Sequence, residues 1–362
     1  MKLRVVDLSR VLAGPFCSMI LADLGADVIK VERPGSGDET RGWGPPFDPT
    51  GQSAYFLSVN RNKKSIAADL AIRSDREMVL DLIEEADVVL ENFLPGALRK
   101  LGVDVDEQLR KNSELIWCTI SGFGPDSSRP GYDFVIQAES GWMSITGESD
   151  GPPMKVGVAL ADVIAGKDAA IAILGAIAER AAGSLDASRR RITISLEASS
   201  VAALVNVAQN VLVSGQDAER WGNAHPNLVP YQLFDAADRP FVIAVGSDAQ
   251  WLQCAKALGL VDIVADVSLA TNAGRVANRE RVVKAIEQRT REQSALHWIG
   301  RLSAANVPCG MVRSVKEALT GTESDPVTGV PPSVPGTVRM APPRLDEHGD
   351  TIRKLGWRAF NP

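Results

Sequence analysis

The sequence predicts an α/β protein with a large, mostly parallel sheet in one domain and a smaller α+β domain beside it. Three observations carry that expectation. Short apolar runs alternate with stretches of helical periodicity through the first third of the chain, and strands separated by helices run parallel with both faces covered. Aromatic residues make up only 5% of the chain, while Gly numbers 31 and Pro 21. That small-residue, turn-rich composition suits layered α/β packing better than a β-sandwich. At 362 residues the chain exceeds one ordinary core, which argues for about two domains.

The elements follow in order. Leu3–Leu8 reads as a buried strand, then an apolar helix opens near Gly14-Pro15 and ends at Gly25. Asp27–Glu32 and Ser65–Leu70 read as the next strands. Ser74–Ala86 has a Ser at its start and apolar residues at helical spacing, so a Ser-capped helix is expected. Asp87–Glu91 and Leu115–Ser121 are further strands. The longest helical pattern, Val158–Ala182, is rich in Ala, Ile and Gly and is expected to pack centrally. Arg191–Leu196 reads as a strand and Ala198–Val213 as another buried helix. Composition turns polar over Gly215–Asn227, which marks a boundary. Beyond it come a strand pair, Tyr231–Phe234 and Phe241–Val245, and helices at Ala249–Leu258, Asn278–Glu292 and Ser294–Ala304. The Pro- and Gly-rich tail from Thr322 is too long for a simple loop and is expected to run back over the first domain. The expected division is therefore 1–219, 220–315 and a returning tail, 316–362.

Composition limits the function. With 45% hydrophobic and 23% charged residues the chain is globular rather than disordered. A net charge of −6 without any basic block argues against nucleic acid as a partner. Cys17, Cys118, Cys254 and Cys309 are scattered without a C-x-x-C pair, which points to a reducing compartment. No apolar leader opens the chain and no segment reaches about 18 uncharged apolar residues, so neither secretion nor a membrane is expected. The expected setting is cytoplasmic.

Several chemistries lack their motif. There is no G-x-S-x-G elbow, and Gly35-Ser36-Gly37 leads to Asp38 rather than to a phosphate-binding Lys. His225, His297 and His348 lie far apart without metal-ligand spacing, so no metal is expected. Glu32 ends the second strand where a ribose-binding acid would stand, but Val11-Leu12-Ala13-Gly14-Pro15 lacks G-x-G-x-x-G. Pro15 also removes a backbone N–H that a pyrophosphate needs. A nicotinamide cofactor is rejected. Arg33, directly after Glu32, points to a phosphate-bearing adenosine of another kind.

Seven segments, in order, carry a resemblance. They are LSRVLAGPFCSMILADLGADVIKVERPGSGDETR from Leu8, NRNKKSIAADL from Asn60, ENFLPGALRKLG from Glu91 and RPGYDFVIQAESG from Arg129. ADVIAGKDAAIAILGAIAER from Ala161, GNAHPNLVPYQLF from Gly222 and APPRLDEHGDTIRKLG from Ala341 complete the set. Together they make the chain resemble the family III CoA-transferases, the formyl-CoA and carnitine CoA-transferase group. The resemblance implies a large Rossmann-like domain, a smaller α+β domain and an interlocked, ring-like homodimer. It implies coenzyme A as substrate, in the form of an acyl-CoA, with a carboxylic acid as acceptor.

On pattern alone Asp162 is a helix-capping acid. The resemblance makes it the nucleophile, because D-x-x-A-G (Asp162, Ala165, Gly166) is where such enzymes carry that carboxylate. A carboxylate at a helix N-terminus is expected to stay ionised at neutral pH. It would attack the acyl-CoA, pass through a mixed anhydride and carry CoA as an aspartyl thioester, provided water is excluded. The backbone near Gly222-Asn223 or Gly141 is the expected source of oxyanion donors.

For CoA the resemblance designates Arg33 and Lys100 at the phosphates, Asn92 and Phe93 along the pantetheine, and Arg10, Val11 and Leu12 beside the nucleotide. Tyr132 joins this binding set. Cys17, nearby, is expected to be buried packing. α-Methylacyl-CoA racemases resemble the chain too, but their chemistry uses a His-Asp pair where this sequence has Gly131-Tyr132-Asp133. A tyrosine, with an ordinary pKa of about 10, is a poor base at neutral pH. A racemase or epimerase, or a non-catalytic CoA-binding protein, are the alternatives.

Overall fold

The computed structural model describes residues 2–360 and divides into two compact units. The first runs to Met143 and takes in Lys155–Gln216 and the chain from Thr322 onward; the second comprises Ser144–Met154 and Asp217–Gly321.

In the first unit, strands β1 (Arg4–Asp7), β2 (Asp27–Glu32), β3 (Lys63–Ala67), β4 (Val88–Glu91), β5 (Ile116–Ser121) and β6 (Arg191–Ser195) form one sheet. Every pairing is parallel, in the order β3-β2-β1-β4-β5-β6. Consecutive residues of a strand face opposite ways, and here both faces receive apolar side chains. Val5, Val28, Val88 and Ile116 enter one core, while Val6, Ile29, Val89 and Trp117 enter the other. Burying each contributes about 1.5–3 kcal/mol. The strands therefore read as unbroken apolar runs rather than alternating ones.

Helices α1 (Ala13–Asp23), α2 (Arg73–Glu84), α3 (Asp133–Glu139) and α4 (Leu160–Ala181) follow β1, β3 and β5 in the chain. α1 and α4 cover the first core, and α4 turns Ala161, Ala165, Ala169, Ala170, Ile173 and Ala176 inward. Glycine sets their approach. A Cβ on Gly166 would lie 2.6 Å from the Ala13 carbonyl oxygen, and one on Gly14 would lie 2.3 Å from the Ser9 Cβ.

Three details differ from expectation. β3 begins at Lys63, because that lysine is fully buried and paired with Asp7 at 3.1 Å instead of ending the strand. Ser74 does not cap α2. The capping position is Ile72, two residues earlier, in a turn where Ile72 N–H bonds the Asp69 carbonyl, which leaves Ser74 inside the helix. The expected helix over Ala198–Val213 is two, α5 (Leu196–Ala202) and α6 (Asn206–Ser214), bent by 72°. The break falls at Val205, whose φ of +43° cannot continue a right-handed helix.

The second unit holds a three-stranded antiparallel sheet, β7 (Tyr231–Asp235), β8 (Pro240–Ala244) and β9 (Cys309–Met311). Helices α7 (Asp248–Leu258), α8 (Arg279–Thr290) and α9 (Ala295–Ala304) pack with it around Phe234, Phe241, Trp251 and Trp298.

The tail lies on the first unit. Asn62 N–H donates to the Met340 carbonyl at 3.0 Å, Ala67 N–H to the Asp346 carboxylate at 2.8 Å, and His348 N–H to the Ser65 carbonyl at 3.0 Å. Those bonds cover the outer edge of β3. Arg61 ties the tail down by bonding Asp23 at 2.7 Å and the Thr328 carbonyl at 2.9 Å. α10 (Gly349–Leu355) then brings Ile352, and the turn after it Trp357, into the second core. Among the described residues no single helix is long and apolar enough to cross a membrane.

Candidate active site

The sheet order reverses between β1 and β4, the place where an open α/β sheet forms a crevice at its carboxyl ends. Asp162 stands at this crevice as the third residue of α4. Ala159, not Asp162, holds the capping position, and it makes no side-chain bond. The cap comes from outside the helix. Asp133, the first residue of α3, accepts Ala161 N–H at 2.9 Å, and its other oxygen accepts Gln137 Nε2–H at 2.7 Å. A free helix-end donor is thereby satisfied, and a second carboxylate is placed beside Asp162.

The close approach of α1 and α4 that Gly166 permits sets the Ala13 backbone beside Asp162, where its N–H favours the charged form of the carboxylate. The D-x-x-A-G pattern thus has a physical reading. Ala165 is buried in the core and Gly166 admits the neighbouring backbone, which fixes Asp162 one turn earlier against the first residue of α1.

The expected charge state is corrected here. Burial pushes the Asp162 carboxyl up from its ordinary value to about 7, the Asp133 charge pushes the same way, and the Ala13 N–H only partly opposes them. A helix N-terminus does not hold this acid ionised, because the cavity walls remove the water that would solvate the charge. Tyr55 feels the same site: burial, then the charges of Asp162 and Asp133, push its phenol up to about 12.

Asp162 lines a cavity of about 240 Å³ together with Arg10, Val11, Leu12, Ala13, Glu39, Asn92, Phe93, Arg129 and Tyr132. Seven of the nine designated residues, Asp162 included, therefore meet in one place. Tyr132 is exposed at its rim. Arg33 lines a second cavity of about 150 Å³, with Lys30, Gly37, Asp38 and Leu70. Arg10 and Phe93 line both cavities. The Arg10 guanidinium lies 5.7 Å from the Phe93 ring centre and pairs with Glu39 at 3.2 Å, while its buried Nε has no partner among the described residues. Lys100 lines neither cavity and is exposed at the end of a short helix.

Gly141 does not line the Asp162 cavity either, and Gly222-Asn223 belongs to the second unit, where it borders a depression with Glu148 and Trp221. Within the first unit, the Ala13 N–H favours the charged form of Asp162. Cys17 is fully buried, and burial raises its thiol well above the ordinary range, so it packs rather than reacts. Among the described residues no cluster of His, Cys, Asp and Glu has the geometry of a metal site.

Sequence reasoning missed Asp133, Tyr55, Glu39 and Arg129. Asp133 stands in the RPGYD segment, but its pairing with Ala161 joins residues 28 apart.

Comparison with known proteins identifies the family of the chain. The sequence model described as CoA-transferase family III matches residues 2–348. The chain is 42% identical to the succinyl-CoA:glutarate CoA-transferase of Mus musculus, over 88% of this chain and 72% of that protein. It is 36% identical to the acetyl-CoA:oxalate CoA-transferase of Acetobacter aceti, over 97% of this chain and 94% of that one. The crystal structure of a CaiB/BaiF family protein from Brucella suis superposes with a TM-score of 0.84 at 40% identity, covering 97% of each chain.

Proposed function

The chain belongs to CoA-transferase family III, whose members move CoA between an acyl-CoA and an acid, and from that premise we propose that Asp162 carries the transfer covalently. The observation that carries the proposal is a carboxyl held in a crevice largely out of bulk water, whose cavity is continued by Arg10 and Phe93 into a second one that Arg33 borders. The racemase and non-catalytic alternatives fall behind, since the named relatives are transferases.

The steps balance as follows. An ionised Asp162 oxygen attacks the thioester carbonyl carbon, the C–S bond breaks, and CoA leaves as thiolate from a mixed anhydride. The thiolate attacks the Asp162 carbonyl carbon, releasing the donor acid as its carboxylate and leaving CoA bound to Asp162 as a thioester. The acceptor carboxylate then attacks that same carbon and expels the thiolate, forming a second anhydride. The thiolate attacks the acceptor's acyl carbon, which frees Asp162 and the new acyl-CoA. Nothing is hydrolysed if the crevice stays dry. Holding both reactants in contact supplies on the order of 7–11 kcal/mol of the barrier. Ala13 N–H, which favours the charged form of Asp162, is the proposed donor to the oxyanion that develops on its carboxyl.

CoA would lie with its adenosine phosphates by Arg33 in the second cavity and its pantetheine past Arg10 and Phe93. The acceptor class is a dicarboxylic acid. Glutarate and oxalate in the relatives' names support this. A homodimer is also proposed: α6 has no buried residue, and Leu212 and Val213 on it, with Val205 at its start, are exposed apolar side chains that a second copy would cover.

The test is covalent capture. Incubating the protein with succinyl-CoA and trapping with hydroxylamine or borohydride is expected to modify Asp162, as read by peptide mass spectrometry. Asp162→Ala should give no adduct and no transfer to glutarate. Undiminished exchange in that variant would end the proposal.

A further inference from the structure

The chain re-enters the first unit at Lys155, after the excursion Ser144–Met154, and α4 begins at Leu160. The strap between them, Lys155–Ala159, belongs to no helix or strand, and its last residue caps α4 without a side-chain bond. One amide holds it in place. Gln137 lies on α3 and is 0% exposed, so its polar atoms need partners. Its Oε1 accepts Val156 N–H at 2.8 Å, and its Nε2 donates to the Val158 carbonyl at 3.3 Å and to the Asp133 carboxylate at 2.7 Å. Only this orientation of the amide serves all three, because carboxylate and carbonyl oxygens accept and a backbone N–H donates.

Asp133 and Gln137 stand four residues apart on α3 and so share one face of it. Gln137 takes the strap, and Asp133 takes Ala161 N–H at 2.9 Å, the donor next to Asp162 in the chain. These bonds decide where α4 starts. A helix begun one residue sooner or later turns every side chain on it by about 100°, which would carry Asp162 off the cavity wall. They also decide where the Asp133 charge sits. With one oxygen on Ala161 and the other on Gln137, the carboxylate is fixed against the first turn of α4, beside Asp162. The charged groups on the cavity walls have partners of their own, Arg10 with Glu39 and Arg129 with Glu139. Tyr55 and Tyr132 also face the site.

We propose that Gln137 is a positioning residue for Asp162: it sets the start of α4 through the strap and holds the Asp133 carboxylate against the first turn. The inference rests on the transferase reading above, in which Asp162 is the group that must be placed. Gln137 does not line the Asp162 cavity, so it acts through the backbone and through Asp133 rather than on substrate.

The experiment removes the amide with and without the Asp133 charge. The rate of Asp162 adduct formation from succinyl-CoA is followed against pH by rapid quench and mass spectrometry. The forms compared are the natural enzyme, Gln137→Met, Asp133→Asn and the two combined, with urea unfolding to confirm that each one folds. Gln137→Met keeps the side-chain volume and loses all three bonds. It is expected to lower the rate at high pH about 10- to 100-fold, the loss that a small displacement of a reacting group produces. It should also move the midpoint down from about 7, since the Asp133 charge is no longer held beside Asp162. In the double variant the midpoint should stand where Asp133→Asn alone puts it, because Gln137 acts on the charge of Asp162 only through Asp133. Gln137→Asn keeps an amide one methylene short of these bonds. The same downward movement is expected of it, and it decides the question where Gln137→Met does not fold. A midpoint unmoved in the folded variants, an undiminished rate, or further downward movement in the double variant would each overturn the proposal. Loss of packing alone lowers stability and leaves the midpoint where it was. A natural enzyme that forms no adduct on Asp162 would sink the transferase mechanism itself, whereas a normal adduct with an unmoved midpoint removes only the role of Gln137.

Discussion

Asp162 and Asp133 place opposite demands on one site. The nucleophile must be ionised to attack, yet burial and then the neighbouring Asp133 charge hold its pKa near 7. The rate of adduct formation from an acyl-CoA should therefore rise with pH through a midpoint near 7, read by rapid quench and mass spectrometry. Asp133→Asn keeps an oxygen to accept Ala161 N–H but removes the charge, so the midpoint should move toward the ordinary carboxylate range. An unmoved midpoint would show that Asp133 does not act on Asp162. Stability runs in the opposite direction with pH. The folded pKa exceeds the unfolded value of about 4, so the advantage of protonated Asp162 is full below pH 4 and is lost as pH rises through 7. At this scale the sequence was legible only in part. Asp162 was singled out through the resemblance, and its charge state was misjudged because helix-end electrostatics are local while the desolvating walls come from six other segments of the chain. Lys30 did leave a signal, since a lysine within the apolar run Asp27–Glu32 must find a buried partner. That partner, Asp38, lies in a loop beyond the end of β2, so strand periodicity does not reveal it.

The helix crossing of α1 on α4 decides whether the residue-scale chemistry is available. Gly166 allows a contact that a Cβ would bring to 2.6 Å of the Ala13 carbonyl oxygen, a backbone atom that cannot rotate aside. Gly166→Ala is expected to cost about 1–3 kcal/mol of stability by overpacking, measured by urea unfolding. It should also lower the rate of Asp162 adduct formation at least 10-fold by withdrawing the Ala13 donor. A variant that loses stability but forms adduct normally would show that the crossing supports the fold and not the site. Elements were the most legible level, because strands buried on both faces write continuous apolar runs and a small-residue helix writes its Ala and Gly. What stayed hidden was short or was decided by a single dihedral. The α5–α6 break at Val205 has no Gly or Pro to announce it, and β9 is three residues long.

Across the whole chain, the first unit is completed by its last described residues. Trp357 is buried in the second core, and its Nε1–H donates to the Leu82 carbonyl at 3.0 Å. Trp357→Ala should cost about 3–5 kcal/mol, visible as an earlier urea midpoint. A chain ended at residue 321 should show no cooperative transition for the first unit. If that shortened chain unfolded like the full one, the tail would be an accessory. The return of the tail is foreshadowed in its length and composition, but its anchor points are not. Asp346 meets Ala67 and Arg61 meets Thr328 across separations of 279 and 267 residues, and no local pattern encodes such pairs.

The strap over β3 bears on how the protein is made. Strands near the start of the chain emerge from the ribosome early, yet the backbone N–H groups of Asn62 and Ala67 and the carbonyl of Ser65 take partners in residues 340–348. Until translation finishes, the nascent sheet shows a bare parallel edge that another chain can pair with. Refolding from denaturant, where every segment is present at once, should therefore yield less aggregate than synthesis stalled before the tail is released.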